Sequence, residues 1–113
     1  MYMKKIVLFL VMCLLLVGCG KTKIQKYKGI MSENDYVIID VRTKEEYDDG
    51  HLVDAINIPY DEIDETIDIN KEKIIFVYCK SGNRSKYAYE VLKNLGYTTY
   101  DLGAFQDIDL PKA

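Results

Sequence analysis

Residues 74–85 have the sequence IIFVYCKSGNRS, which contains the strongest fold signal in the chain. Its first part, residues 74–78, is an apolar run of mostly β-branched and aromatic residues, which is typical of a strand buried on both faces. Its second part, Cys79 to Ser85, is polar and contains Gly82, as expected of a tight loop. The sequence therefore predicts a buried strand that passes into a loop at its carboxyl end.

An amphipathic helix is predicted directly after this loop. Apolar residues recur there at three- and four-residue spacing, and Gly96 stands where a helix commonly ends. The apolar positions are Tyr87, Ala88, Val91, Leu92 and Leu95. Because the apolar stripe of such a helix needs a surface to cover, we expect it to pack against the sheet that contains the strand.

Three further strands are predicted, at residues 36–41, 55–58 and 97–102. They are short and apolar, and helical patterns separate them along the chain. Strands that alternate with helices at short intervals favour a parallel sheet with helices on both faces. The fold class predicted from the sequence is therefore α/β.

Two other segments carry helical patterns. Thr43 and Glu46 have the spacing of a capping box, which predicts a short helix that Gly50 ends. The acidic segment 61–70 has two isoleucines one helical turn apart, and we interpret it as a solvated helix. A calcium site is not predicted there, because the Asp-x-Asp-x-Asp-Gly pattern is absent.

The loop from Cys79 to Ser85 is predicted to hold an anion. Ligands bind at the carboxyl ends of parallel strands, where a tight loop directs its backbone N–H groups inward and the next helix adds its positive end. Lys80 and Arg84 add cationic donors. Such surroundings stabilise the thiolate of Cys79 and make it a nucleophile. The alternative is a buried structural cysteine that ends a strand.

The amino terminus has the organisation of a secretory signal. Two lysines precede an unbroken apolar run, residues 6–17, which is too short to cross a bilayer. The run ends in Leu16-Val17-Gly18-Cys19, which resembles the lipobox of bacterial lipoproteins. That resemblance implies cleavage after Gly18, a lipid on Cys19 and an extracytoplasmic protein anchored to a membrane. The alternative is an uncleaved signal anchor that happens to contain a cysteine.

Four lysines follow the predicted lipidation site, at positions 21, 23, 26 and 28. They are typical of either a basic tether attracted to anionic headgroups or an ordinary solvated linker. The predicted organisation is a signal peptide over residues 1–18, a lipidated cysteine and tether over 19–28, and one domain over 29–113.

Composition and cysteine content limit the possible functions further. The 113-residue chain has a formal net charge of −3, and residues 1–18 contribute lysines but no acidic group, so the mature part is more acidic still. An acidic domain without a basic stripe is poorly suited to nucleic acid. Of the three cysteines, Cys13 lies in the predicted signal and Cys19 would carry the lipid. Cys79 therefore has no intramolecular disulfide partner, and no metal site is predicted.

The mature chain resembles the single-domain rhodanese family over about residues 24–110. The matching segments are Asp40-Val41-Arg42, Glu46-Tyr47, Gly50-His51-Leu52, Ala55–Pro59, Tyr78–Ser85 and Leu95-Gly96-Tyr97. The resemblance implies a five-stranded parallel sheet with helices on both faces. It also implies a sulfurtransferase in which Cys79 carries a persulfide without any separate cofactor.

The resemblance assigns roles to the residues around this cysteine. It implies that the loop binds the sulfur donor, and that Asp40 and Arg42 support the loop rather than react. His51, the only histidine, is expected to form hydrogen bonds in a turn rather than to act as a base. The loop residues expected to bind the donor are Lys80, Ser81, Gly82, Asn83, Arg84 and Ser85.

Loop length separates two anion chemistries. Cysteine phosphatases, including those that look like rhodaneses, use the pattern Cys-x5-Arg, whereas Cys79 and Arg84 form Cys-x4-Arg. The shorter loop is too tight for a tetrahedral phosphoryl group above the thiolate, but it suits a single transferable sulfur atom. Phosphatase activity is therefore disfavoured.

Two functions remain open. In the first, a membrane-anchored sulfurtransferase, the Cys79 thiolate attacks the outer sulfur of thiosulfate or a polysulfide while Arg84, Lys80 and the loop amides stabilise the donor and leaving group. The persulfide then passes to cyanide, a thiol or another protein. In the second, a carrier or docking module holds sulfur on Cys79 for a partner at the same membrane.

The sequence departs from the family pattern at three places, one of which is Gly103-Ala104-Phe105, where the pattern has Gly-Gly followed by an aliphatic residue. Asp54 stands where the pattern has glycine, and the tryptophan expected late in the chain is missing. Phe105 and Ile108 are the residues expected to supply the lost apolar contact.

Overall fold

The computed structural model describes residues 22–113, which form a four-stranded parallel sheet with three α-helices. The strands lie in the order β2-β1-β3-β4. They are β1 (Tyr36–Asp40), β2 (Ile56–Asn57), β3 (Ile74–Cys79) and β4 (Thr99–Ala104). The helices are α1 (Thr22–Glu33), α2 (Lys44–Asp49) and α3 (Asn83–Asn94), with short 3-10 turns at Tyr60–Glu62 and Phe105–Asp107.

The α/β class and the parallel sheet are confirmed, with strand ends shifted by one or two residues from those predicted. Residues 22–113 supply four strands and not the five that the resemblance implied. The predicted signal peptide over 1–18 and the predicted lipidation site Cys19 lie outside the described residues. Among residues 22–113, no helix is long and apolar enough to cross a membrane.

Helix α1 covers one face of the sheet. The Tyr27 side chain is only 8% exposed, and its ring meets the Phe76 ring of β3 with 5.7 Å between centroids. Ile24 and Ile30 pack into the same cluster. Residues 22–28, which the prediction placed in the tether over 19–28, belong to this helix, and the boundary predicted at residue 29 falls inside it. The helical spacing of 24, 27 and 30 was present in the sequence, but the intervening lysines favoured a tether.

Strand β3 is buried on both faces, as its composition predicts. Ile75, Val77 and Cys79 lie on the face that α3 covers with Ala88 and Leu92. Phe76 and Tyr78 lie on the opposite face, in the cluster that α1 completes. This alternation places the thiol of the last residue of β3 beneath the start of α3.

Helix α3 ends as predicted, with Gly96 just beyond its cap at a φ of +96°. Its predicted apolar stripe is correct except at Tyr87, which is 55% exposed. The Tyr87 ring instead meets the Tyr60 ring edge-on, with 5.7 Å between centroids.

The capping box at α2 is confirmed. The Glu46 N–H donates to Thr43 Oγ1 and the Thr43 N–H donates to Glu46 Oε1, each at 3.2 Å. The helix predicted over 61–70 is wrong, because only the 3-10 turn at Tyr60–Glu62 forms there. The Asp64 carboxylate accepts the backbone N–H of Thr66 at 2.8 Å, a local bond that competes with helix formation.

Asp54 has a φ of +67° and is the one non-glycine residue with positive φ among residues 22–113. This left-handed conformation explains why the family pattern has glycine there, and aspartate is among the few residues that tolerate it. The departure from the pattern therefore leaves the backbone conformation unchanged.

Candidate active site

The predicted nucleophile lies at the carboxyl end of β3, under the loop that leads into α3. Cys79 is the last residue of the strand, and its side chain is completely buried. Gly82 caps the helix with a φ of +98°, a left-handed conformation that residues with a Cβ adopt at a cost. This glycine lets the chain turn back over the sulfur within three residues.

A closed ring of hydrogen bonds surrounds the Cys79 sulfur. The Gly82 N–H donates to Sγ at 2.9 Å, and the thiol donates to Ser85 Oγ at 3.3 Å. The Ser85 hydroxyl in turn donates to the carbonyl oxygen of Gly82 at 3.2 Å. The predicted cradle is therefore present at the Gly82 amide and at Ser85, and the burial of the thiol is accompanied by polar contacts.

The ring also accommodates the ionised sulfur. When the thiol loses its proton, the Ser85 hydroxyl can rotate and donate to Sγ instead of to the Gly82 carbonyl. The thiolate then accepts one N–H and one O–H bond at the amino end of a twelve-residue helix. Both bonds and the helix end favour negative charge, which is what a sulfur nucleophile requires.

Arg84, which is predicted to bind the donor, has its guanidinium paired with a carboxylate. Its two terminal nitrogens donate to the two carboxylate oxygens of Glu46 at 2.7 and 3.0 Å. These hydrogen bonds lower the pKa of Glu46 to about 2 and raise the pKa of Arg84. The charge of Cys79 raises the pKa of Arg84 slightly further. The cation is thus paired before any ligand arrives.

The other loop residues lie at the surface. Lys80, Ser81 and Asn83 are all exposed. Lys80 lines a cavity of about 230 Å³ beside the loop. The full lining of this cavity, called the loop cavity below, is Arg42, Glu46, Asp49, Lys80, Phe105 and Gln106. Cys79 is not part of the lining, but its chain neighbour Lys80 is, so the cavity adjoins the loop that covers the buried sulfur.

Asp40 and Arg42, which the resemblance expects to support the loop, form a buried network. Arg42 Nη2 donates to Asp40 Oδ2 at 2.7 Å and to the Gly50 carbonyl at 2.6 Å. The Tyr78 hydroxyl donates to Asp40 at 2.9 Å and accepts the Leu52 N–H at 3.0 Å. This network ties Asp40 and Arg42 to the turn from Gly50 to Leu52 and to Tyr78, which directly precedes Cys79. That the pair supports the loop stays a prediction.

The electrostatics of this network follow from its burial. Desolvation acts to lower the pKa of Arg42, but the hydrogen bonds and charge of Asp40 outweigh it and leave the pKa raised. Burial also raises the pKa of the Tyr78 hydroxyl well above its ordinary value, so it stays protonated and remains a donor. Arg42 additionally lies 4.4 Å from the centre of the Phe105 ring, and this phenylalanine supplies the apolar contact expected at the rim.

His51 belongs to the same turn and has the structural role predicted for it. Its Nδ1 lies 2.9 Å from the Tyr47 carbonyl oxygen, and its ring stacks on the Tyr47 ring at 3.9 Å. Within residues 22–113, no group of three or more potential metal ligands lies together.

Sequence reasoning missed two contributors to the site. Glu46 was assigned only to the capping box, and Tyr78 only to the apolar strand. Glu46 contacts a residue 38 positions away, and so does Tyr78. No local pattern carries such pairs. The one sequence feature that could have indicated a role for Glu46 at the site was its place in the Glu46-Tyr47 segment, which resembles the family.

Comparisons with known proteins agree with this geometry. The profile of the family described as "Rhodanese-like domain" matches residues 23–106. Thiosulfate sulfurtransferase PspE of Escherichia coli is 41% identical over 78 residues, which cover 66% of this chain and 75% of PspE. A solved structure described as "rhodanese with anions from E. coli" has a TM-score of 0.64 and 39% identity, covering 69% of this chain and 96% of that one.

Some relatives are longer proteins. Putative sulfur carrier protein YrkF of Bacillus subtilis is 33% identical, and the match covers 58% of this chain but 36% of YrkF. For several other curated relatives the match spans only 15% to 23% of their length. The cysteine loop, the parallel sheet and these matches together assign the chain to the rhodanese-like family, whose members among these relatives include sulfurtransferases.

Proposed function

We propose that this protein is a sulfurtransferase that takes sulfane sulfur from thiosulfate or a polysulfide onto Cys79 and passes it to a thiophilic acceptor. The observation that carries the proposal is the hydrogen-bonded ring of Gly82 and Ser85 around the Cys79 sulfur, at the start of α3. Relatives that are named sulfurtransferases support the same chemistry. The sulfur is carried covalently as a persulfide on Cys79, so the proposed reaction needs no separate cofactor.

The proposed reaction has two steps. In the first, the Cys79 thiolate attacks the outer sulfur of thiosulfate, a new S–S bond forms at Sγ, and the donor S–S bond breaks with its electron pair leaving on sulfite. In the second, cyanide or a thiolate attacks the outer sulfur of the persulfide, and the electron pair of that bond returns to the Cys79 sulfur. The enzyme is regenerated as the thiolate, with no external oxidant or reductant.

Residues around the sulfur have distinct roles in this proposal. The Gly82 amide and the Ser85 hydroxyl stabilise negative charge on Sγ before attack and on the persulfide afterwards. Lys80 stands at the rim of the loop cavity, where it attracts the anionic donor. The Cys-x4-Arg loop spans too little space for a phosphoryl group, which is why we do not propose a phosphatase.

A second candidate is a sulfur carrier that loads once and waits for a protein acceptor. Two observations favour it: the thiol is fully buried, and Arg84 is already paired with Glu46. Both slow the entry of a small free anion. The resemblance to a putative sulfur carrier protein points the same way.

We further propose that residues 1–18 are a signal peptide and that Cys19 carries a lipid, which places the domain outside the cytoplasm on a bacterial membrane. The basis is the apolar run that ends in Gly18-Cys19. Cys19→Ala should release the protein from the membrane fraction. If that variant sediments with membranes as the wild type does, the anchor is refuted.

Steady-state transfer from thiosulfate to cyanide separates these functions. For the full-length protein, the enzyme proposal predicts saturable thiocyanate formation that disappears in Cys79→Ser while circular dichroism remains unchanged. The carrier predicts one equivalent of thiocyanate per protein and no turnover. A folded Cys79→Ser variant with the wild-type rate would refute both. Hydrolysis of an aryl phosphate by the wild type but not by Cys79→Ser would establish the phosphatase instead.

A further inference from the structure

The pair formed by Glu46 and Arg84 stands beside the loop that holds the reactive sulfur. Both terminal nitrogens of Arg84 are bonded to Glu46, and the two side chains are 26% and 27% exposed. Glu46 lines the loop cavity. An anion that approaches Cys79 from this cavity therefore meets a carboxylate in front of a cation that is already neutralised.

Glu46 is held in this position from two sides. Its Oε1 accepts the Thr43 N–H at 3.2 Å as part of the capping box, in addition to the bond from Arg84 Nη1 at 2.7 Å. Its pKa of about 2 means that the carboxylate stays ionised at neutral and mildly acidic pH. The negative charge is thus a fixed part of the site rather than one that protonation removes during turnover.

The charged side chains that line the loop cavity have no net charge, with two cations, Arg42 and Lys80, against two carboxylates, Glu46 and Asp49. Arg42 is matched by Asp40 at 2.7 Å, and Arg84 by Glu46 at the same distance. The remaining charged groups of the lining, Lys80 and Asp49, have opposite signs. A site selected to bind a dianion such as thiosulfate would carry an excess of positive charge, and this one does not.

We propose that Glu46 is a specificity-determining residue, which pairs Arg84 and thereby favours sulfane donors of low charge, organic persulfides of the form R–S–SH, over the thiosulfate dianion. The inference rests on the proposed sulfur transfer through Cys79. The Glu46 carboxylate repels the donor, and pairing removes the attraction of a free Arg84 guanidinium. Both energies are proportional to the charge of the donor, so binding of thiosulfate is weakened more than binding of a persulfide that bears at most one charge.

The transfer from an organic persulfide is balanced. The Cys79 thiolate attacks the outer sulfur, a bond forms between Sγ and that sulfur, and the S–S bond of the donor breaks. The electron pair leaves on the thiolate RS⁻, and the proton stays on the transferred sulfur. The leaving thiolate has one negative charge, whereas sulfite has two, so it also requires less cationic stabilisation.

The variant Glu46→Gln tests this inference without removing the helix cap. Glutamine also serves as the third residue of a capping box, so α2 is retained while the charge that faces Arg84 disappears. Glu45→Gln is the matched control, because Glu45 lies next to Glu46 on the same helix but is exposed. The donors are thiosulfate and the persulfide of N-acetylcysteamine, each measured with the same thiol acceptor.

For Glu46→Gln we expect the KM for thiosulfate to fall about tenfold with kcat changed less than about twofold, and the KM for the persulfide to fall less than about threefold. Glu45→Gln should leave both donors unchanged. Adding Glu46→Gln to an Arg84→Gln variant should not restore thiosulfate use, because the freed cation would be absent.

The outcomes distinguish the inference from the function on which it depends. If Glu46→Gln changes both donors equally, or impairs thiosulfate transfer, Glu46 only positions Arg84 and the inference is wrong while sulfur transfer stands. If the wild type transfers sulfur from neither donor to Cys79, the proposed function itself fails, and the inference with it.

Discussion

The protein contains two arginine–carboxylate pairs of similar geometry that differ in burial. Arg42 and Asp40 meet at 2.7 Å with side chains 6% and 0% exposed, whereas Arg84 and Glu46 meet at 2.7 Å with side chains about a quarter exposed. The buried pair has its remaining groups bonded to the turn at Gly50 and to Tyr78. Each pair contributes one side chain to the lining of the loop cavity, Arg42 from the buried pair and Glu46 from the more exposed one.

This difference separates a structural pair from one available to a ligand. If one member of the buried pair is removed, the remaining charge is not solvated by water, so breaking this pair costs much stability. A charge in the exposed pair can be solvated, so breaking it costs little stability but changes the field at the site. Substitutions in the buried pair should therefore mainly lower stability. Substitutions in the exposed pair should mainly change the choice of sulfur donor.

The largest effect is expected from Arg42→Met, which leaves the fully buried Asp40 carboxylate without its cation. We expect the free energy of unfolding to fall by about 3–5 kcal/mol, measured by urea denaturation. The double variant that adds Asp40→Asn should recover part of this loss, because no uncompensated charge then remains. A loss below about 1 kcal/mol in the single variant would show that the pair is not structurally important.

An intermediate effect is expected from Tyr78→Phe. The change removes the donor to Asp40 and leaves the Leu52 N–H without its acceptor, while the ring and its stacking on Phe105 remain. We expect a loss of about 2 kcal/mol in the free energy of unfolding, with sulfur transfer retained in the folded protein. A variant as stable as the wild type would mean that water replaces the lost hydroxyl.

The smallest effect is expected from Glu46→Gln, and it should depend on pH. The folded-state pKa of Glu46 is lowered from 4.5 to about 2, so the pair stabilises the fold above pH 4.5 and loses this contribution as the pH falls toward 2. With solvent screening included, we expect the wild type to exceed the variant by about 1 kcal/mol at neutral pH.

The same comparison in acid provides the check. The difference between wild type and Glu46→Gln in urea unfolding should shrink as the pH falls from 4.5 and vanish below about 2, where the Glu46 carboxyl is protonated in the folded state as well. Asp48→Asn, which disrupts the exposed pair with Lys44 on the same helix, should not change stability at any of these pH values. A difference that grows in acid would contradict the assignment of the shifted carboxyl group to Glu46.

Features governed by local chemistry could be predicted from the sequence. The β-branched run of β3, the capping box at Thr43, the helix stop at Gly96 and the position of Cys79 at the end of a strand all depend on neighbouring residues. The α/β class followed because these elements alternate.

Features that depend on distant residues or on competing local bonds could not be predicted in this way. The partner of Arg84 is 38 residues away, and nothing in the sequence near either residue indicates the pair. Helix α1 was missed because its lysines outweighed its spaced apolar residues. The segment 61–70 does not form the predicted helix, because the Asp64 side chain bonds to the backbone nearby.

The proposed chemistry requires Cys79 to accept and hold a sulfur atom. Intact mass spectrometry of the full-length protein after incubation with thiosulfate or an organic persulfide, with peptide mapping to locate the change, measures this. We predict one added sulfur on the peptide that contains Cys79, removed by cyanide and absent in Cys79→Ser. An unchanged mass with both donors, or sulfur found only on another cysteine, would contradict the account.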